Sequence, residues 1–116
     1  MIEVRTLTKW YGSVTAVDGA TFTAAAGRVT GFLGLNGSGK TTCLRMLLGL
    51  IRPTSGTELI NGRRYRDLPE PLRQVGAVLE QGISHPGQTG RAHLISHAIL
   101  TDASYARVEE LIAYVG

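Results

Sequence analysis

The chain has 116 residues, 43% hydrophobic and 18% charged, which bounds it to one ordinary globular domain and excludes a disordered composition. Ten arginines and two lysines, Lys9 and Lys40, against nine acids leave a net charge of +3, a mild bias that suits a polyphosphate ligand and does not argue for nucleic acid. No apolar run approaches the roughly 18 residues of a membrane span, Met1-Ile2-Glu3-Val4-Arg5 lacks the regions of a signal peptide, and the single Cys43 excludes an internal disulfide, so the chain is expected in the cytoplasm.

In chain order, Ile2, Val4 and Leu7 predict a first strand and Thr21-Phe22-Thr23 a second. Residues 29–33 form a short apolar, β-branched run that predicts a buried strand ending where the glycine-rich stretch Gly34-Leu35-Asn36-Gly37-Ser38-Gly39-Lys40-Thr41-Thr42 begins. Cys43, Leu44, Met46, Leu47, Leu48, Leu50 and Ile51 predict a helix, closed by Gly49 and by Pro53 beyond it. Pro53-Thr54-Ser55-Gly56 reads as a loop, Thr57-Glu58-Leu59-Ile60 as a strand and Asn61-Gly62 as its hairpin turn. Residues 69–74 follow as a short helical stretch, before the apolar run 75–79 and the turn-rich Ser84-His85-Pro86-Gly87. Two helices, 92–99 and 104–115, part near Thr101-Asp102, and Gly116 stands as a C-terminal stop.

The glycine-rich stretch fills every fixed position of the phosphate-loop pattern G-x-x-x-x-G-K-[ST] with Gly34, Gly39, Lys40 and Thr41. Three glycines in six positions let the backbone turn tightly and bring successive N–H groups to an anion. Lys40 is expected at the β and γ phosphates and the Thr41 hydroxyl at Mg²⁺, with the positive end of the following helix dipole facing the same charge. Strand, loop and helix in that order are the context the motif requires, and ATP is the expected ligand.

Other features carry weaker chemistry. Arg63, Arg64 and Arg66 cluster beside the Asn61-Gly62 turn and are expected on a solvated strand edge rather than in a nucleic-acid patch. Cys43 falls in the first turn of the phosphate-loop helix, where the dipole lowers a thiol pKa, but a small buried side chain is the simpler reading. His93 and His97 share a helix face at i and i+4, with no third ligand nearby to make a metal site.

Beyond these local signals, four blocks resemble the opening half of an ABC transporter ATP-binding subunit. They are Leu7-Thr8-Lys9-Trp10-Tyr11-Gly12 with Ala16-Val17-Asp18-Gly19-Ala20-Thr21-Phe22; the phosphate loop with the preceding Gly31-Phe32-Leu33; Leu47-Leu48-Gly49-Leu50-Ile51-Arg52-Pro53-Thr54-Ser55-Gly56-Thr57 with Asn61-Gly62; and His85-Pro86-Gly87-Gln88-Thr89-Gly90-Arg91-Ala92-His93-Leu94. The resemblance implies an α/β phosphate-loop NTPase of ABC type. Such a fold combines an antiparallel β subdomain, part of a RecA-like core and the start of a helical subdomain. Residues 1–83 would form the first two and 84–116 would begin the third. It further implies ATP and Mg²⁺ as ligands, a separate membrane permease and a second ATP-binding subunit as partners, no nucleic acid, and a peripheral place at the cytoplasmic face of the membrane. The likeness is greatest to subunits of export and drug-resistance systems.

Carried onto this sequence, the resemblance places the adenine on Tyr11 rather than Trp10; neighbouring side chains in an extended segment point to opposite sides, so only one of the two covers the base. It places the phosphates on Gly34, Leu35, Asn36, Gly37, Ser38, Gly39, Lys40, Thr41 and Thr42. Leu35 stands where proline is frequent, a departure that removes no N–H donor. The family's metal-binding and permease-sensing glutamine falls on Glu80, with Gln81 one residue later, so Thr41, Glu80 and Gln81 are the metal candidates. No Leu-Ser-Gly-Gly-Gln-like signature, no second acidic strand with a neighbouring catalytic glutamate and no later switch histidine can be placed, so the chain is expected to be a truncated N-terminal part with no catalytic group of its own. Its ATPase activity would depend on completion downstream, and unpaired apolar sheet surface is expected. A nucleotide-binding remnant without catalysis, a small-molecule kinase and a soluble ABC-type ATPase are the alternatives.

Overall fold

The computed structural model describes residues 1–79 and 86–116, which divide into two units, Met1–Pro69 and Glu70–Gly116. In the first unit, strand β1 (Ile2–Tyr11) lies between β2 (Val14–Ala24) and β3 (Ser55–Ile60) and is antiparallel to both. Alternation alone would put Val4 and Leu7, three residues apart, on opposite faces of the sheet. Both are nonetheless buried, at 1% and 0% exposure. The parity is reset at Thr6, which takes a left-handed φ of 45°, and the β1–β2 register shifts between Val4 and Leu7. The Thr6 N–H turns to the Thr21 hydroxyl at 2.9 Å. On the other side the register with β3 shifts between Arg5 and Thr8.

Gly56 sits against this bulge with φ 90°, and a Cβ there would lie 2.4 Å from the Thr6 carbonyl oxygen and 2.6 Å from the Leu7 Cα. Both contacts are with backbone, which cannot swing away. The Asn61-Gly62 turn follows β3 with positive φ at both residues, as a two-residue hairpin turn demands, and closes an Ile60–Arg63 bridge.

Helix α1 (Lys40–Leu47) buries Cys43, Met46 and Leu47, a stripe at i, i+3 and i+4. These join Val4, Leu7, Val17 and Ile60 in the core; full burial of such a side chain is worth about 1.5–3 kcal/mol. The helix ends in a glycine-terminated cap: Gly49, at φ 71°, donates to the Met46 carbonyl at 3.0 Å and Leu50 to the Arg45 carbonyl at 2.9 Å. The helix predicted to continue to Ile51 therefore stops at Leu47.

Residues 29–33, expected as a strand, belong to no ladder among the described residues. Val29 and Leu33 are almost wholly exposed, and Phe32 holds to β2 through its ring, 5.0 Å from that of Phe22. An apolar run becomes a strand only beside a partner that satisfies its N–H and C=O groups, and among the described residues this run pairs with the outer edge of neither β2 nor β3. The run 75–79 is in the same position, with Val78 almost fully exposed.

In the second unit, a short helix α2 (Pro71–Gln74) precedes α3 (Gly90–Thr101) and α4 (Tyr105–Val115). Thr89 and Ser104 cap the two longer helices, their hydroxyls accepting from Ala92 N at 3.1 Å and Arg107 N at 3.2 Å. Asp102, left-handed at φ 56°, ends α3 where the sequence predicted the break. Ala98 and Val108 are the buried residues of the pair, and Arg91 and Glu109 form an ion pair across it.

Glu58 on β3 is 7% exposed. Burial raises its carboxyl pKa above the ordinary glutamate value, against the opposing pull of Arg64, its own backbone and Arg66. A carboxyl whose pKa is raised by folding contributes stability that is present below its unfolded value and is lost as pH rises through its folded value. Glu58→Gln is therefore expected to leave stability unchanged near pH 3 and to raise it progressively as pH is brought above the ordinary glutamate range, checked by urea unfolding at several pH values. Gly56→Ala is expected to lower stability by about 2 kcal/mol or more, from the clash with the Thr6–Leu7 backbone and the left-handed φ, read in the same assay.

Candidate functional site

The stretch from Gly34 to Thr42 leads directly into α1 and is fixed by one close approach. Gly39 is the N-cap of α1 at φ 90°, and a Cβ on it would lie 2.2 Å from the Ala16 carbonyl oxygen and 3.0 Å from Val17 Cγ2. Only glycine fits, both by conformation and by space. This packs the end of the loop on the start of β2. Upstream, Ser38 N donates to the Leu35 carbonyl at 3.0 Å, closing a tight turn through Asn36 and Gly37.

The first helical hydrogen bond runs from Cys43 N to the Gly39 carbonyl at 2.9 Å. The N–H groups of Lys40, Thr41 and Thr42 precede it and so have no carbonyl one turn back to donate to. Three donors at the positive end of a helix dipole make an anion site. The Lys40 ammonium lies over the same loop, donating to the Gly34 carbonyl, to the Leu35 carbonyl at 2.8 Å and to the Ser38 hydroxyl at 3.4 Å. It therefore stands at the concave side of the loop. The half-buried Thr41 hydroxyl, in the first turn of α1, is a hard oxygen donor of the kind Mg²⁺ takes.

Tyr11 and Trp10 end β1 and are 49% and 56% exposed. Tyr11 pairs with Val14 across the hairpin, two residues before the Ala16 carbonyl that touches Gly39. At about 3.3 Å per strand residue, the Tyr11 end of the hairpin and the end of the loop are on the order of 10 Å apart. Lys9 Nζ lies 5.1 Å from the centroid of the Tyr11 ring and also donates to the Arg52 carbonyl at 2.8 Å. The Trp10 N–H is bonded to the Thr54 hydroxyl at 3.0 Å.

Glu80 and Gln81 lie outside the described residues. Cys43 is buried, and desolvation pushes its thiol pKa up, which fits the reading of a small buried side chain. His93 and His97 meet edge to face with ring centroids 4.5 Å apart, and no metal-binding cluster of three or more ligands occurs among the described residues. Of the three clustered arginines, Arg64 departs from the solvated-edge expectation: it is half-buried, with its Nε 3.9 Å from Glu58 Oε1. Sequence reading passed over Glu58, whose only signal was an acid beside the apolar Leu59 and Ile60 on a strand.

The ABC transporter family profile matches residues 17–116. Over its whole length the chain is 38% identical to the bacitracin transport ATP-binding protein BcrA of Bacillus licheniformis, and over 97% of it 39% identical to the daunorubicin/doxorubicin resistance ATP-binding protein DrrA of Streptomyces peucetius. It covers 39% and 34% of those two proteins, so it spans little more than a third of the relatives' length. A solved structure of the ATP-binding subunit of an ABC transporter superposes on 94% of the chain, and 46% of its own, with a TM-score of 0.78 at 32% identity. No helix among the described residues is long and apolar enough to cross a membrane. With the phosphate-loop geometry, the family match and the structural likeness in agreement, this chain belongs to the ABC transporter family, within its ATP-binding subunits.

Proposed function

We propose that this chain forms the nucleotide half-site of a transport ATPase that energises a separate membrane permease, with a second ATP-binding subunit beside it. The observation that carries the reading is the junction of loop and helix. Gly39 is held on the Ala16 carbonyl, three helix-start N–H groups lack acceptors one turn back, and Lys40 leans over the loop. A triphosphate is the anion that matches such a row of donors plus one mobile ammonium. Gly34, Leu35, Asn36, Gly37, Ser38 and Gly39 would wrap the phosphates, with Thr42 supplying a further first-turn donor. Thr41, with Glu80 or Gln81, would hold Mg²⁺, whose charge offsets that building on the γ-phosphoryl oxygens.

The adenine would lie on Tyr11. The hairpin end carrying that ring is tied to the loop through Ala16, while the Trp10 backbone is committed to Thr54. Lys9, near the Tyr11 ring, biases where the exposed face lies. In the chemistry of phosphoryl transfer this loop binds, orients and stabilises charge. Hydrolysis and transport are proposed for the whole subunit, working at the cytoplasmic face of the membrane. Substrate choice is assigned to the permease, since relatives named for bacitracin and for daunorubicin/doxorubicin share this same segment at 38% and 39% identity.

Lys40→Ala removes a charge-assisted contact worth about 1.5–3 kcal/mol, so ATP affinity is expected to fall roughly tenfold to a hundredfold. Fluorescent-nucleotide binding checks this, and unchanged affinity would sink the phosphate-loop assignment. Tyr11→Ala is expected to weaken ATP by about 1–3 kcal/mol and leave inorganic triphosphate nearly unaffected. Equal losses for the two ligands, measured by competition against the same fluorescent probe, would remove Tyr11 from the base site.

A further inference from the structure

The half-buried Lys9, near the end of β1, stands among the ties that join this strand to the segment following α1. Thr54 N donates to the Thr8 carbonyl at 2.9 Å, and Trp10 N donates to the Thr54 hydroxyl at 3.0 Å. Between these two, Lys9 Nζ donates to the Arg52 carbonyl at 2.8 Å. Pro53, with its ring-locked φ, separates Arg52 from the tied Thr54, so the carbonyl that receives the ammonium has little freedom. On the other side of β1 the register passes from Lys9–Val17 to Trp10–Thr15, which leaves Ala16 as an extra residue on β2. Ala16 is the residue whose carbonyl oxygen meets Gly39.

The same ammonium stands 5.1 Å from the centroid of the Tyr11 ring. Lys9 and Tyr11 are two positions apart on one strand and share a face of it. A cation over an aromatic ring is held by the ring quadrupole, so it takes up one face and leaves the other for a stacked base. Tyr11 is 49% exposed, and its hydroxyl has no hydrogen-bond partner among the described residues. Fixing one such side chain at the moment of binding lowers affinity about twofold to tenfold, a loss that a ring already held in place avoids. We infer that Lys9 is a positioning residue for the base: anchored on the Arg52 carbonyl, its ammonium covers one face of the Tyr11 ring and presents the opposite face to adenine. The inference rests on the reading of Tyr11 as the base platform, and adds what sets that platform. A direct attraction of Lys9 for phosphate would act on ATP and inorganic triphosphate alike, whereas positioning of the ring acts on ATP alone.

The test measures ATP and inorganic triphosphate by competition against a fluorescent nucleotide, in the unaltered full chain, in Lys9→Met, Lys9→Arg and Tyr11→Ala, and in the Lys9→Met/Tyr11→Ala double variant. Lys9→Met keeps the stem of the side chain and removes the ammonium. It is expected to weaken ATP about threefold to tenfold and to leave inorganic triphosphate within about twofold, which also shows that the variant is folded. Lys9→Arg, which can still donate to the carbonyl and lie over the ring, is expected to keep the preference for ATP. In the Tyr11→Ala background Lys9→Met is expected to cost nothing further, because a residue that acts through a ring has no effect once the ring is gone. A preference for ATP lost in Tyr11→Ala and kept in Lys9→Met would overturn the inference while leaving Tyr11 as the platform. Equal losses of the two ligands in Lys9→Met, or additive losses in the double variant, would overturn it as well. Equal losses of the two ligands in Tyr11→Ala would remove the platform itself, and the inference with it.

Discussion

The close approach of Gly39 to the Ala16 carbonyl is the contact on which the candidate site depends. At 2.2 Å from a would-be Cβ, it leaves room for a hydrogen atom and nothing larger. Because Ala16 lies in β2 and Gly39 caps α1, this one contact joins the antiparallel sheet to the anion-binding end of the helix. The sheet contributes an aromatic ring at its hairpin end and the helix contributes three free N–H groups. Neither would be placed relative to the other by local structure. A glycine that serves a backbone turn and a tertiary contact at once is more constrained than one that serves either alone.

A second backbone constraint makes the sheet able to support that contact. The Thr6 bulge turns Leu7 to the same buried face as Val4, and Gly56 gives the bulge room in β3. Without the shift, either Val4 or Leu7 would face solvent and the face that receives Cys43, Met46 and Leu47 would be broken. The bulge is held by side-chain hydroxyls. Thr21 accepts from Thr6 N, and the buried Thr8 accepts from Gly19 N at 3.0 Å while donating to the Thr6 carbonyl at 3.3 Å. Threonines that look like ordinary strand formers in the sequence are thus the partners of backbone groups that the irregular ladder leaves over.

The two ends of α1 differ in chemical character. Its first turn presents N–H groups and an ammonium to an anion, with no buried acid nearby. Past its last turn, a buried carboxylate stands among arginines, and desolvation keeps its pKa raised despite their attraction. A polar group kept buried without a full set of partners reduces stability.

The phosphate loop was legible in the sequence because its chemistry is local: nine consecutive residues carry the turn, the donors and the ammonium. The Asn61-Gly62 turn and the break at Asp102 were legible for the same reason, since each is settled within four residues, whereas the capping roles of Thr89 and Ser104 came only from the structure. Tyr11 was named through resemblance, and only the hairpin register ties it to the loop through Ala16. The run 29–33 has the composition of a buried strand, yet it is unpaired in this structure, because a strand is a property of two segments and composition describes one. The bulge at Thr6 and the pairing of Glu58 with Arg64 could not be read either. Each depends on which backbone atoms come within a few ångströms across the sheet, a distance that no spacing along the chain encodes.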